Sequence, residues 1–246
     1  MQEILTAVIS ASTSILVVLI TYGLNSYREA RSKEKQETER IISNYLNPLR
    51  FYLVENYFRL AEILQRIIQE NGKHEALLYV KEAKDISEKS AEWFTGYGCY
   101  LTSSCYITAR LFYQLDKTRQ ELSYLRLSRK DDTELLTLIT ALSRCFRQEH
   151  GIYYSLQPSI GSDMYLADEE RLVTYREFCK LLQDPDRRIW FDRLLEFYIE
   201  TGEGQKLQRI EEIMRAIQNL SLFLDRVVGG GSSLKERLEI EGIRFL

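Results

Sequence analysis

The sequence predicts an all-α protein in which a single N-terminal transmembrane helix is followed by a multi-helix bundle domain. Residues 4–24 run without one charge, and beyond residue 41 apolar residues recur at alternating steps of four and three, the period of an amphipathic helix. Only three prolines and twelve glycines punctuate the 246 residues, which favours long helices over a sandwich or barrel. On this reading the chain divides into an anchor (1–27), a charged helical stalk (28–40), a helical bundle (41–228) and a Gly/Ser linker with a C-terminal tail (229–246).

The anchor reads ILTAVISASTSILVVLITYGL, twenty-one residues that span roughly 31 Å as a helix, close to the hydrocarbon thickness of a bilayer. Its polar side chains (Thr6, Ser10, Ser12, Thr13, Ser14, Thr21) are hydroxyls, which can bond back to their own helix carbonyls. A cleaved signal peptide fits less well. The Met-Gln-Glu start is not basic, the apolar run is long, and Asn25-Ser26-Tyr27-Arg28 offers no small-residue cleavage site. Arg28, Arg31, Lys33 and Lys35 follow the span and no Lys or Arg precedes it, so the positive-inside rule predicts the N-terminus outside and the soluble domain cytoplasmic. The expected contact with the lipid bilayer is through residues 4–24. Small residues at four-residue spacing, Ala7–Ala11 and Ser10–Ser14, permit close helix approach and oligomerisation.

The stalk Arg28–Arg40 contains no Pro or Gly and is rich in helix-favouring Glu, Arg, Lys and Gln. Ile42, Leu46, Leu49, Leu53, Tyr57, Leu60, Leu64 and Ile67 then form a long helical stripe. Asn47-Pro48 should kink it or start a new helix, and Asn71-Gly72 should end it. A second helix is expected from Lys73 to Phe94. The stretch from Trp93 to Tyr113 is the least polar of the soluble part, with no charge from Cys99 to Ala109 and breaks at Gly96 and Gly98. It reads as the central helix of the bundle. Asp131-Asp132-Thr133-Glu134 fits a capping box ahead of Leu135, Leu136, Leu138, Ile139 and Leu142, on a helix ending near Gly151. Residues 152–167, with Pro158 and Gly161, read as one long irregular connection of the kind that carries binding. Asp168-Glu169-Glu170 and Asp184-Pro185 each read as a helix start. Trp190, Phe191, Leu194, Leu195 and Tyr198 share a helical face. A last helix carries Leu207, Ile210, Met214, Ile217, Leu220 (or Ser221), Leu224 and Val227, before a flexible Gly229–Ser233 linker.

Charge is balanced, with 33 basic and 36 acidic residues and a formal net charge of −3, so no nucleic-acid partner is expected. Cys99, Cys105, Cys145 and Cys179 in a cytoplasmic domain should be reduced. Motif-like fragments do not hold up chemically. His74-Glu75 would need a second histidine at position 78, which is Leu78. The two histidines, His74 and His150, make a poor metal site. Gly202-Glu203-Gly204-Gln205-Lys206 lacks the spacing and the Ser or Thr of a phosphate loop. Glu-x-x-His, which a di-metal bundle would need twice, is absent. No catalytic, cofactor-binding or metal-ligating residue is therefore assigned, no cofactor is expected, and the chain is not read as an enzyme.

What remains is recognition. The aromatic side chains Trp93, Tyr97, Tyr100, Tyr106, Tyr153 and Tyr154 are the candidate ligand or partner surface. The function expected is that of a membrane-tethered helical interaction, scaffold or regulatory protein that engages a protein partner or forms a homo-oligomer. The alternative is a membrane-anchored sensor or effector that changes oligomeric state on ligand binding.

Overall fold

A computed structural model of the chain describes residues 2–121, 129–147 and 151–229 together with Leu234 and Arg237, and for 2–19 and Arg129 it describes the backbone alone. The protein is an all-α multi-helix bundle. It divides into two compact units, Met1–Ser43 and Asn44–Leu246.

The first unit is built on α1 (Gln2–Ile41), forty residues of unbroken helix and so about 60 Å long. From Ile20 to Arg40 every side chain is exposed. The charged half is stitched locally, by Arg40 to Glu37 at 2.8 Å and Lys35 to Glu39 at 3.7 Å, spacings that place partners on one helix face. Among the described residues no helix is long and apolar enough to cross a membrane. The greater part of the expected anchor, residues 4–19, lies outside the described side chains.

A π-helical turn, Ile42–Leu46, precedes α2 (Asn47–Gln69), the first α-helix of the second unit, with Pro48 in the first turn of α2. Proline has no N–H to donate and its ring crowds the carbonyl four residues back, so the wider turn sits where an α-helical ladder would fail. Most of the expected stripe is buried, Leu46 ahead of α2 and Leu49, Leu53, Tyr57, Leu60 and Ile67 on it being within 1% of complete burial, while Ile42 and Leu64 are only half-buried. Asn71 and Gly72 both take left-handed φ, +58° and +93°, and Gly72 N–H returns to Ile67 O at 2.8 Å.

The helix expected over 73–94 does not form. In its place are 3-10 turns at Glu75–Leu77 and Ala83–Glu88 and a short helix, α3 (Ala91–Thr95). The buried side chains explain this. Leu77, Val80, Ala83 and Ile86 recur every third residue, which is the 3-10 repeat rather than the alternation of three and four that an α-helix presents.

The central helix is α4 (Cys99–Glu121), which packs against α2, against α6 (Leu156–Ser162) and against α9 (Asp192–Gly202). Behind it, α10 (Leu207–Val228) lies between α2 and α5 (Arg129–Arg147). Asp131 and Asp132 fall in the first turn of α5 rather than ahead of it; acid is favourable there through the helix dipole, with no box geometry required. Residues 148–150, including His150, lie outside the described residues, as does most of 230–246 with its linker and tail.

Residues 152–167 are more ordered than their composition suggests. They contain α6, whose Gly161 lets two backbones meet: a Cβ there would lie 2.7 Å from Tyr113 N. Asp168 and Glu169 sit in a 3-10 turn closing an antiparallel hairpin between β1 (Tyr165–Leu166) and β2 (Arg171–Leu172), so they do not start a helix. The next helix, α7 (Tyr175–Gln183), is started by a capping box in which Thr174 accepts from Glu177 N–H and Glu177 accepts from Thr174 N–H. The Arg171 guanidinium grips the same carboxylate at 2.7 and 2.8 Å and holds it well below the usual carboxylate range. The Asp184-Pro185 start is as expected: Asp184 Oδ1 accepts from Asp186 N–H at 3.1 Å, ahead of α8 (Pro185–Arg188). Trp190 precedes α9 and is 52% exposed, while Phe191, Leu194, Leu195 and Tyr198 are buried. The stripe on α10 is its buried face from Ile210 to Leu224.

Buried polar groups tie the layers together. Thr108 Oγ1 donates to Asn56 Oδ1 at 2.6 Å and lies 2.6 Å from the Tyr198 hydroxyl, joining α4, α2 and α9. Gln218 Nε2 donates to the Tyr57 hydroxyl at 2.7 Å, joining α10 and α2. Gly161→Ala should lower unfolding stability by about 1–3 kcal/mol through forced separation of α4 and α6. Thr108→Val, which keeps the shape but strands Asn56 Oδ1, should cost about 1–3 kcal/mol. Urea unfolding midpoints of the two variants check both values.

Candidate functional site

The six aromatic residues singled out in the sequence do not meet. No ring contact joins any two of them among the described residues. Trp93 is half-buried, with its ring filling the space a Gly98 Cβ would need; this turn closes tightly because residue 98 has no side chain. Tyr97, 70% exposed, lies 5.1 Å from the ring of Tyr79. Tyr153 and Tyr154 are exposed, and the Arg147 guanidinium covers Tyr154 at 4.8 Å.

Tyr100 and Tyr106 are structural. Tyr106 donates to Val173 O at 2.9 Å, accepts from Arg110 Nη1 at 2.7 Å, and its ring packs 5.6 Å from Tyr175 and from Phe178. Tyr100 lies under the Arg59 guanidinium at 4.4 Å and against the His74 ring at 4.7 Å. Arg59 continues to Ser104 Oγ at 3.1 Å and Ser103 Oγ at 3.3 Å, so this cation is spent on fastening α2 to α4.

His74 is 1% exposed, and neither ring nitrogen has a hydrogen-bond partner among the described residues. Its backbone N–H donates to Gly202 O at 2.8 Å, which pins the 73–78 segment to the end of α9. Glu70 Oε2 stands 4.0 Å from Nδ1. Burial pushes the imidazole below its ordinary value of 6.5, with Glu70 opposing it only in part. Among the described residues no group of three His, Cys, Asp or Glu side chains could hold a metal ion.

Several grooves open on the second unit, among them one of about 370 Å³ between α5 and α10 and two beside α9 and α7. One, about 390 Å³, lies between residues 81–84 and the acidic face of α9. Its carboxylates are largely answered, Glu200 by Lys206 at 2.7 Å and Glu196 by Arg193 at 2.8 Å. The other is about 580 Å³ and lies between α3 and α7. Phe94, Tyr175 and Cys179 give it an apolar floor, and Arg176, Lys180 and Glu92 stand at its edge. The Tyr175 hydroxyl lies 2.7 Å from Thr102 Oγ1 and 3.0 Å from Phe94 O, which locks the floor to α4. Burial raises the Cys179 thiol to about 11, so it acts as a wall and not as a thiolate. The four cysteines are free thiols.

Sequence reading missed this groove because Tyr175, Arg176, Cys179 and Lys180 look like one ordinary amphipathic turn. The available signal was Thr174-x-x-Glu177, a capping box that places the helix start and with it the face of each residue.

Because the His74 pKa is lower in the folded chain than in the unfolded one, the unfolded chain binds more protons below pH 6.5, and stability falls as pH drops through that value. Unfolding free energies of the wild type and His74→Phe between pH 7.5 and 5 should converge or cross as pH falls, the variant lacking this loss; a pH-independent difference would refute it. No protein-family model matches the chain, and neither the curated proteins nor the solved structures contain a match.

Proposed function

We propose that this chain is a membrane-tethered interaction protein whose helical domain holds a protein partner at the cytoplasmic surface. The observation that carries the reading is the composition of α1. One unbroken helix begins with a charge-free run, residues 4–24, and continues through the charged Arg28–Arg40. A run of that length and hydropathy matches a bilayer, and the basic residues at its end belong on the cytoplasmic side. Ile20, Tyr22, Leu24 and Tyr27 are 52–75% exposed, a state that water penalises and that a lipid interface, rich in tyrosine, favours.

Recognition rather than catalysis is supported by the surface of the second unit. The α3–α7 groove pairs an apolar floor with charged edges, the pattern of a binding site with orienting polar groups. Tyr79 and Tyr97 present an exposed aromatic pair, and tyrosine is a residue type enriched at protein interfaces.

Fractionation tests the tether. The full chain should sediment with membranes, resist an alkaline carbonate wash and dissolve in mild detergent, whereas a chain starting at Arg28 should leave the membrane pellet. Release of the full chain by carbonate would refute it. A C-terminal tag should be protected from protease in sealed right-side-out cells and cleaved after permeabilisation. Co-purification of a stoichiometric partner after mild extraction is the expected outcome for the interaction role; a chain that migrates alone at every concentration would overturn it.

A further inference from the structure

We propose that the α3–α7 groove seats an acidic amphipathic helix of the partner, its apolar side chains over Phe94, Tyr175 and Cys179 and its carboxylates against Arg176 and Lys180. This rests on the interaction role proposed above and names the chemistry of the partner at that site.

Charge complementarity carries the argument. Arg176 and Lys180 are four residues apart on α7, so they project from one side of the helix, and both are exposed. Neither has an ion pair among the described residues, and both stand beside the apolar floor of the groove. Arg171 is held by Glu177 and Glu169, Arg193 by Glu196 and Lys206 by Glu200. Two uncompensated cations beside an apolar floor are the complement of a chain with carboxylates flanking an apolar stripe. A partner helix with acid at positions i and i+4 matches their spacing.

Size and polarity narrow the occupant. Nine-residue α7 is about 13 Å long, or two and a half turns, enough to meet anchors at i, i+3 or i+4, and i+7 of a docked helix. The opposite wall, on α3, carries Glu92. That carboxylate repels a purely anionic ligand such as a fatty-acid chain lying along the groove. It accepts a helix whose acid is confined to the flank facing α7.

The test uses the full chain in phosphatidylcholine nanodiscs, with empty discs as reference. Two fluorescent 15-residue helical peptides share one leucine stripe and carry either Glu or Lys on its flanks. Anisotropy should show the Glu peptide binding at least tenfold tighter than the Lys peptide. The doubly reversed R176E/K180E, altered only at exposed positions, should invert that preference, and Ala91→Trp, which fills the groove, should abolish binding of both. Equal binding of the two peptides, no binding, or a preference unmoved by charge reversal overturns the proposal. So does a change of oligomeric state in R176E/K180E, which would make a second copy of this chain the occupant. Partner retention by wild type and Ala91→Trp alike removes the groove assignment and leaves the interaction role standing. Absence of any partner with the wild type removes both.

Discussion

Helix α4 has neighbours on nearly every side, so its polar groups must find their partners inside the protein. Leu101, Cys105, Ala109, Leu111, Phe112 and Leu115 are buried, and so are Thr102, Ser104 and Thr108 between them. A hydroxyl left unbonded in such a place costs on the order of 1–3 kcal/mol. For three of its hydroxyls the helix itself or the neighbouring elements prevent that, while Thr118 Oγ1 and Gln114 Oε1 near its C-terminal end are buried with no hydrogen-bond partner among the described residues. Ser104 bonds back to Tyr100 O, Thr108 reaches Asn56 and Tyr198, and Thr102 meets Tyr175. Each of the second and third contacts comes from a different helix, so satisfying α4 fixes α2, α7 and α9 around it. Apolar packing alone would tolerate rotation and sliding; directed bonds at 2.6–2.7 Å do not.

Legibility in the sequence followed the periodicity of burial. The faces of α2 and α10 were readable because one side is apolar for five or more turns and the other is charged. The central position of α4 was readable because no charge interrupts Cys99–Ala109. Residues 73–94 were misread because a repeat of three, Leu77-Val80-Ala83-Ile86, overlaps a helical pattern until the intervening Leu78 is shown to be only half-buried. The start of α7 was overlooked since the acidic run Asp168–Glu170 is a louder signal than Thr174 and Glu177. Those acids serve a hairpin turn in which Glu170 takes a left-handed φ of +50°, a demand made by β1 and β2 that no local propensity announces.

The candidate site was less legible for a different reason. A groove is a relation between elements distant in sequence, and α3 and α7 are separated by some eighty positions. Counting aromatics finds side chains already engaged in holding the fold, as Tyr100 and Tyr106 are, half-buried beneath Arg59 and beside Arg110. What marks Arg176 and Lys180 is their place at the edge of an apolar floor with no ion pair of their own among the described residues, and that becomes visible only when α3 and α7 are seen side by side.

The Tyr175 hydroxyl touches both Phe94 O and Thr102, and Phe94 in turn stands edge-on to Trp93 at 5.1 Å. The indole of Trp93 is wedged over Gly98 at the entrance to α4. An optical probe therefore stands next to the groove, one aromatic contact away from its floor. Its emission is separable from the other tryptophan, Trp190, by accessibility to an aqueous quencher, because Trp190 stands 52% exposed and Trp93 does not.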